Sequence, residues 1–211
     1  MVDAEIRDKR WALKPKGEQA LVQSLAKELN ISSTLANLLV QRGISSFDEA
    51  KTFFRPKLSD LHDPFLMKDM DKAIDRIENA LKQNEKIMVY GDYDVDGTTA
   101  VALVYSFFKT FYNDLDYYLP DRYKEGYGIS FAGIDHAKAN GFTLIIALDC
   151  GIKANDKVIY AKERGIDFVI CDHHRPGEFL PEASAVLDPK RDDDTYPFKE
   201  LSGCGIGFKL I

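Results

Sequence analysis

From Ile87 to Ile170 apolar runs alternate with polar turns and stretches of helical spacing, and a last apolar run precedes Asp188. The runs Ile87 to Tyr90, Leu115 to Leu119, Thr143 to Leu148, Ile166 to Ile170 and Ala185 to Leu187 read as strands, the second of them weaker than the rest. Helical stretches at Thr98 to Phe108, Ala132 to Ala139 and Asn155 to Arg164 separate them, the last stopped by Gly165. Strand, helix, strand with short connections requires right-handed crossovers and a mostly parallel sheet covered on both faces. The expected fold class is α/β: a mostly parallel, doubly wound sheet flanked by helices, with a small helical N-terminal extension.

Residues 1–66 read as that extension and its connector, and residues 67–211 as the main domain. Leu21, Leu25 and Leu29, then Leu35, Leu38 and Leu39, fall at helical spacing, with Ser32 and Ser33 as candidate caps. Pro56 and the run Asp60, Leu61, His62, Asp63, Pro64 mark an irregular connector. Met70, Ala73, Ile74, Ile77, Ala80 and Leu81 then predict an amphipathic helix that opens the main domain.

The first residues, Met1 to Arg7, carry charge from the start, and the longest apolar stretch, near Ala100 to Phe108, is far too short to cross a bilayer. Neither export nor membrane insertion is expected. Cys150, Cys171 and Cys204 show no CxxC spacing, which argues against a disulfide framework or a zinc knuckle and for a reducing cytoplasm. A net charge of −6 speaks against coating nucleic acid by basicity alone. It does not exclude a nuclease, because carboxylates gathered around divalent cations lower the formal count where bound metal restores positive charge.

In open parallel sheets ligands bind beyond the carboxyl ends of the strands. Here three strands end in metal-ligand chemistry: Gly91, Asp92, Tyr93, Asp94, Val95, Asp96, Gly97 after the first; Asp149, Cys150, Gly151 after the third; Asp172, His173, His174 after the fourth. Parallel strands bring these clusters to one edge. Asp92, Asp94 and Asp96, at every second position of a glycine-bounded turn, can aim several carboxylates into one small volume, where repulsion is severe without a cation. A solvated acidic turn is the bland alternative, and Asp149 alone would pass for a helix cap. An EF-hand fails because Leu103 stands at the twelfth loop position. Asp94 to Thr98 also has the look of a DxDGT phosphatase nucleophile loop, but that chemistry has no use for paired histidines. In the histidine pair one ring can bind metal while the other faces substrate, with Asp172 orienting an imidazole from behind. Oxygen donors with one imidazole suit Mn²⁺ or Mg²⁺.

These three motifs resemble the successive motifs of the DHH phosphoesterase superfamily. The closer resemblance is to its RecJ branch of single-strand-specific exonucleases: Pro120 to Gly128, Leu201 to Ile211, the Trp11 region and Asp60 to Met67 all look RecJ-like. The resemblance implies that Asp94, Asp96, Asp149 and His173 ligate two Mn²⁺ or Mg²⁺ ions, with Asp149 shared and Asp92 a ligand or its supporting partner. His174 is then expected to contact the scissile phosphate or assist its protonation. It implies a 5′ to 3′ exonuclease of DNA repair and recombination acting on single-stranded DNA, with a single-strand-binding protein and a helicase as candidate partners. A further aspartate ligand and a second domain are expected beyond Ile211, so weak or no turnover is expected of these 211 residues by themselves. Arg122, Lys124 and Arg175 are candidate phosphate contacts, and Tyr123 or Tyr127 a base-stacking surface; solvated charges and half-buried aromatics read equally well. Cys150 and Cys171 read as small strand-end residues. Two alternatives stay open: a small-substrate phosphodiesterase or pyrophosphatase of the same superfamily, and a catalytically dead DNA-binding scaffold.

Overall fold

The computed structural model describes residues 11–211, so the charged start of the chain lies outside the described residues. The chain divides after Leu61 into two compact units. Among the described residues the first carries three α-helices, α1 (Gln19–Leu29), α2 (Ser33–Val40) and α3 (Phe47–Phe54). Caps set their starts. The Ser32 hydroxyl accepts from the Leu35 amide, and Ser46 with Glu49 forms a reciprocal capping box. Ser33 is the first helical residue and not a cap. Val22, Leu25, Ala36, Leu39 and Ala50 form the small core of this unit, whereas Leu35 and Leu38 are exposed despite their helical spacing.

The second unit, His62 to Ile211, carries α4 (Met70–Lys82) followed by alternating strands and helices as far as the fourth strand, after which the fifth comes without an intervening helix. Its elements are β1 (Lys86–Gly91), α5 (Val95–Lys109), β2 (Leu115–Tyr118), α6 (Phe131–Ala139), β3 (Phe142–Leu148), α7 (Asn155–Lys162), β4 (Asp167–Cys171), β5 (Ala185–Leu187) and α8 (Gly203–Leu210). The sheet has five parallel strands in the order β2, β1, β3, β4, β5. Side-chain alternation along each strand builds two cores. Ile87, Val89, Leu144, Ile146, Leu148 and Val169 point toward α4, α5 and α8. Met88, Tyr90, Ile145, Ala147, Phe168 and Ile170 point toward α6 and α7. Burial on both faces explains why these strands read as continuous apolar runs.

Strand order reverses between β1 and β3, because β1 is followed in the chain by its neighbour on one side and β3 by its neighbours on the other. This is the switch point at which doubly wound sheets leave an open crevice. Two elements differ from the sequence expectation. α5 starts at Val95, three residues before Thr98, so Asp94 is its cap and Asp96 lies in its first turn. α8 was not expected as a helix: Gly203, Gly205 and Gly207 depress helix propensity, and tertiary packing overrides that cost.

Candidate metal centre

Each of four strands hands the chain to an aspartate at the same edge of the sheet. Asp92 follows β1, Asp149 follows β3, Asp172 follows β4 and Asp188 follows β5. All four are buried. Neighbouring carboxylates with little solvent repel each other strongly; Asp172 alone of the four leaves no buried oxygen without a partner, whereas Asp92, Asp149 and Asp188 each leave one.

Both oxygens of Asp172 have partners. Its Oδ1 accepts from the amides of His173 (2.7 Å) and His174 (3.1 Å) and pairs with His174 Nδ1 at 2.7 Å, while Oδ2 accepts from the Ile152 amide. Burial alone would raise its pKa, but the His174 ring and these amides outweigh burial and hold it below the usual carboxylate value. The same bond raises the pKa of His174 against the opposing effect of burial.

Asp149 has no such relief. It sits at φ 62°, a left-handed conformation that aspartate tolerates better than most residues, and its side chain is 2% exposed. Oδ1 has no hydrogen-bond donor: His173 Nε2 stands 3.1 Å away without bonding geometry. Burial, then the charges of Asp96 and Asp94, push its pKa up to about 7. Oδ2 of Asp92 is likewise buried without a partner, its Oδ1 accepting from the Tyr93 amide. Gly97 presses against the Asp92 backbone so closely that any Cβ there would collide with it, which fixes the approach of α5 to β1.

Asp149, His173 and His174 each offer a ligand atom within 4.8 Å of the others. Asp96 Oδ2 lies 3.7 Å from His173 Nε2, and its two oxygens accept from the amides of Gly203 and Cys204. Asp94 is exposed and uses Oδ1 to cap α5 through the Gly97 amide, leaving Oδ2. The residues therefore fit divalent cations: buried anionic oxygens without donors on Asp92 and Asp149, flanked by one imidazole and a further carboxylate, form a donor set for hard, oxygen-seeking ions.

The expected phosphate and base contacts surround this cage without entering it. The Tyr127 hydroxyl meets His174 Nε2 at 3.3 Å, and burial followed by the charge of Asp92 raises its pKa. Arg122 lies over the Tyr93 ring at 5.0 Å, Tyr123 is 94% exposed and Lys124 stands near Asp121. Arg175 is exposed on the other flank, beside Lys190 and Lys199 along a polar groove. Sequence reasoning missed Asp188, although its place directly after an apolar run matched that of the other three. Its Oδ2 is buried without a partner, and burial raises its pKa to about 7 against the Lys190 amide bonded to its Oδ1. The Gly203 and Cys204 bonds to Asp96 were also missed, because they depend on a helix that the glycines hid.

A profile of the DHH family, N-terminal domain, matches residues 86–211, the segment that carries every one of these groups. The chain belongs to the DHH family. Among curated relatives of this DHH chain, the single-stranded-DNA-specific exonuclease RecJ of Bacillus subtilis is 45% identical over 201 residues, which cover 95% of the chain and 25% of the relative. RecJ of Escherichia coli is 35% identical over 179 residues, covering 84% and 30%. The chain thus spans between a quarter and a third of these two proteins. An exonuclease RecJ crystallised with manganese matches with TM-score 0.62 and 29% identity, over 68% of this chain and 36% of that one. RecJ from Thermus thermophilus in complex with Mn²⁺ shares the fold at TM-score 0.67 and 24% identity, over 95% and 27%. Among the described residues no helix is long and apolar enough to cross a membrane.

Proposed function

We propose that this chain is the metal-binding part of a 5′ to 3′ exonuclease that hydrolyses phosphodiester bonds of single-stranded DNA. The observation that carries this reading is the pair of buried carboxylate oxygens without a hydrogen-bond partner, on Asp92 and Asp149 at the ends of β1 and β3, with His173 Nε2 3.1 Å from that of Asp149. The RecJ relatives support the substrate class. Asp94, Asp96, Asp149 and His173 are the proposed ligands of two Mn²⁺ or Mg²⁺ ions, with Asp92 as a further ligand or support. Divalent ions held there neutralise charge on the phosphoryl group and make water more acidic.

The chain's own groups do the rest. Asp172 accepts from His174 Nδ1, which fixes the ring and leaves Nε2 beside the Tyr127 hydroxyl. Its anion favours the imidazolium, so His174 holds a proton at Nε2 for a phosphate oxygen or the departing alkoxide. The Tyr127 hydroxyl lies beside that nitrogen and limits how far the ring turns. Arg122 and Lys124 on one flank and Arg175 on the other are proposed backbone-phosphate contacts, and Tyr127 a base-stacking surface. Residues 1–66 serve as the extension and residues 67–211 as the DHH domain. A single-strand-binding protein and a helicase are proposed partners, since the substrate must first be freed and kept open. The proposed location is the cytoplasm, consistent with three unpaired cysteines.

The test uses the full-length protein with end-labelled single-stranded and duplex DNA, with Mn²⁺ or with chelator. Release of a 5′ label from the single strand, ahead of any 3′ label and only with metal, is expected. Equal attack on duplex, release from the 3′ end first or activity in chelator would overturn the reading. A preference for dinucleotides or pyrophosphate would favour a small-substrate hydrolase instead.

A further inference from the structure

We propose that the N-terminus of α8 aims Asp96 into the cation cage, and that Gly203 is the positioning residue that allows it to do so. The inference rests on reading the cage as a divalent-cation site. The Gly203 amide donates to Asp96 Oδ2 at 2.7 Å and the Cys204 amide to Asp96 Oδ1 at 2.8 Å. Both carboxylate oxygens are thus held by the first two amides of one helix, donors that have no partner within the helix and lie at its positive end. Each oxygen keeps a lone pair for a cation.

Gly203 also touches the second carboxylate. Any Cβ at that position would collide with the Asp149 side chain at its Oδ1, Cβ and Cγ. One backbone position therefore contacts both Asp96 of α5 and Asp149, which follows β3. One turn later, a Cβ at Gly207 would crowd Val104 of α5 at 3.2 Å and Leu148 of β3 at 3.4 Å, so α8 lies close to both elements along the same face. Gly205 is different: a Cβ there would meet only Leu201 and Ser202, at 3.4 to 3.6 Å, which is ordinary contact. The requirement for glycine thus falls on the residue between the two carboxylates and not on the helix end in general.

The test is Mn²⁺ binding by the full chain, followed by loss of the free-ion electron paramagnetic resonance signal, together with the melting temperature of the metal-free protein. Gly203→Ala is expected to weaken Mn²⁺ binding by about tenfold or more, the scale of change for groups that orient metal ligands. Gly205→Ala, which adds the same methyl two residues on, is expected to bind as the unaltered chain does. Should Gly203→Ala not fold, Cys204→Pro removes one amide that holds Asp96 at a first-turn position where proline is tolerated, and Cys204→Ala removes the thiol alone. The proline variant is expected to lose affinity and the alanine variant to keep it. Unchanged binding by a folded Gly203→Ala or Cys204→Pro protein would overturn the positioning role and leave the cage standing. Absence of Mn²⁺ uptake by the unaltered chain would overturn both.

Discussion

The cage and its rim are built on opposite principles. In the cage, Asp92 and Asp149 are buried with oxygens that no donor meets, and Asp149 holds a left-handed backbone. On the rim, Arg122, Tyr123, Lys124 and Arg175 are exposed, and keeping them solvated costs the fold little. Burying an anion without a partner costs several kcal/mol, which a bound cation or a proton must offset. Rim contacts can be exchanged with little consequence; cage contacts cannot.

The sharpest way to break this contrast is Asp149→Asn, which keeps the shape and the left-handed backbone while removing the charge. Phosphodiester hydrolysis should fall by on the order of 10³-fold, the several kcal/mol of charge stabilisation that a mispositioned metal forfeits. The metal-free protein should become more stable at pH 8, by about 2 to 4 kcal/mol, because asparagine removes the charge whose burial raises the pKa of Asp149. Steady-state hydrolysis and chemical denaturation measure the two effects. A variant that is both inactive and less stable would mean that Asp149 is structural. His174→Gln should lower kcat by about 10²-fold while Mn²⁺ binding persists, since its Nδ1 is committed to Asp172. Loss of metal binding instead would place His174 inside the cage.

Titration sharpens the contrast further. Asp149 and Asp188 both have folded-state pKa values raised to about 7 from an ordinary 3.8. The folded form holds these protons more tightly than the unfolded form. Their contribution to stability is therefore fully present below about pH 4 and is lost as pH climbs to about 7. The melting temperature of the metal-free chain should decline across that window, and Asp149→Asn should flatten part of the decline. A profile that rises from pH 4 to 7 with no difference between the two proteins would contradict the unrelieved burial of Asp149. On the rim the effect should be smallest: Arg122→Ala should weaken single-strand binding uniformly across sequences and reduce the salt slope by about one, with kcat unchanged.

Much of this is legible in the sequence. Continuous apolar runs ending in aspartate gave the parallel sheet, because strands buried on both faces need no alternation, and they placed Asp92, Asp149 and Asp172 on one edge. What was hidden depended on tertiary packing. Asp92, Asp94 and Asp96 look like three equal members of one turn. The structure assigns one to a strand end, one to a helix cap and one to the first helical turn, because α5 starts earlier than its apolar periodicity suggests. Gly203 lies in the Leu201 to Ile211 segment that carries part of the resemblance, but a glycine in a short helix signals only weak propensity until Asp149 is seen against it. In the N-terminal unit, spacing located the helices and part of their buried faces: Leu25 and Leu39 are inside as are Val22 and Ala36, while Leu35 and Leu38 line an apolar cavity with Phe47 and Phe54.

Anomalous diffraction from a crystal of the protein soaked in Mn²⁺ tests the cage most directly. Strong peaks are expected within coordination distance of Asp149 and His173, with Asp149 common to two ions and Asp96 beside one of them. Peaks confined to surface carboxylates such as Glu78 or Glu182, with density around Asp149 and His173 unchanged, would contradict the site built here.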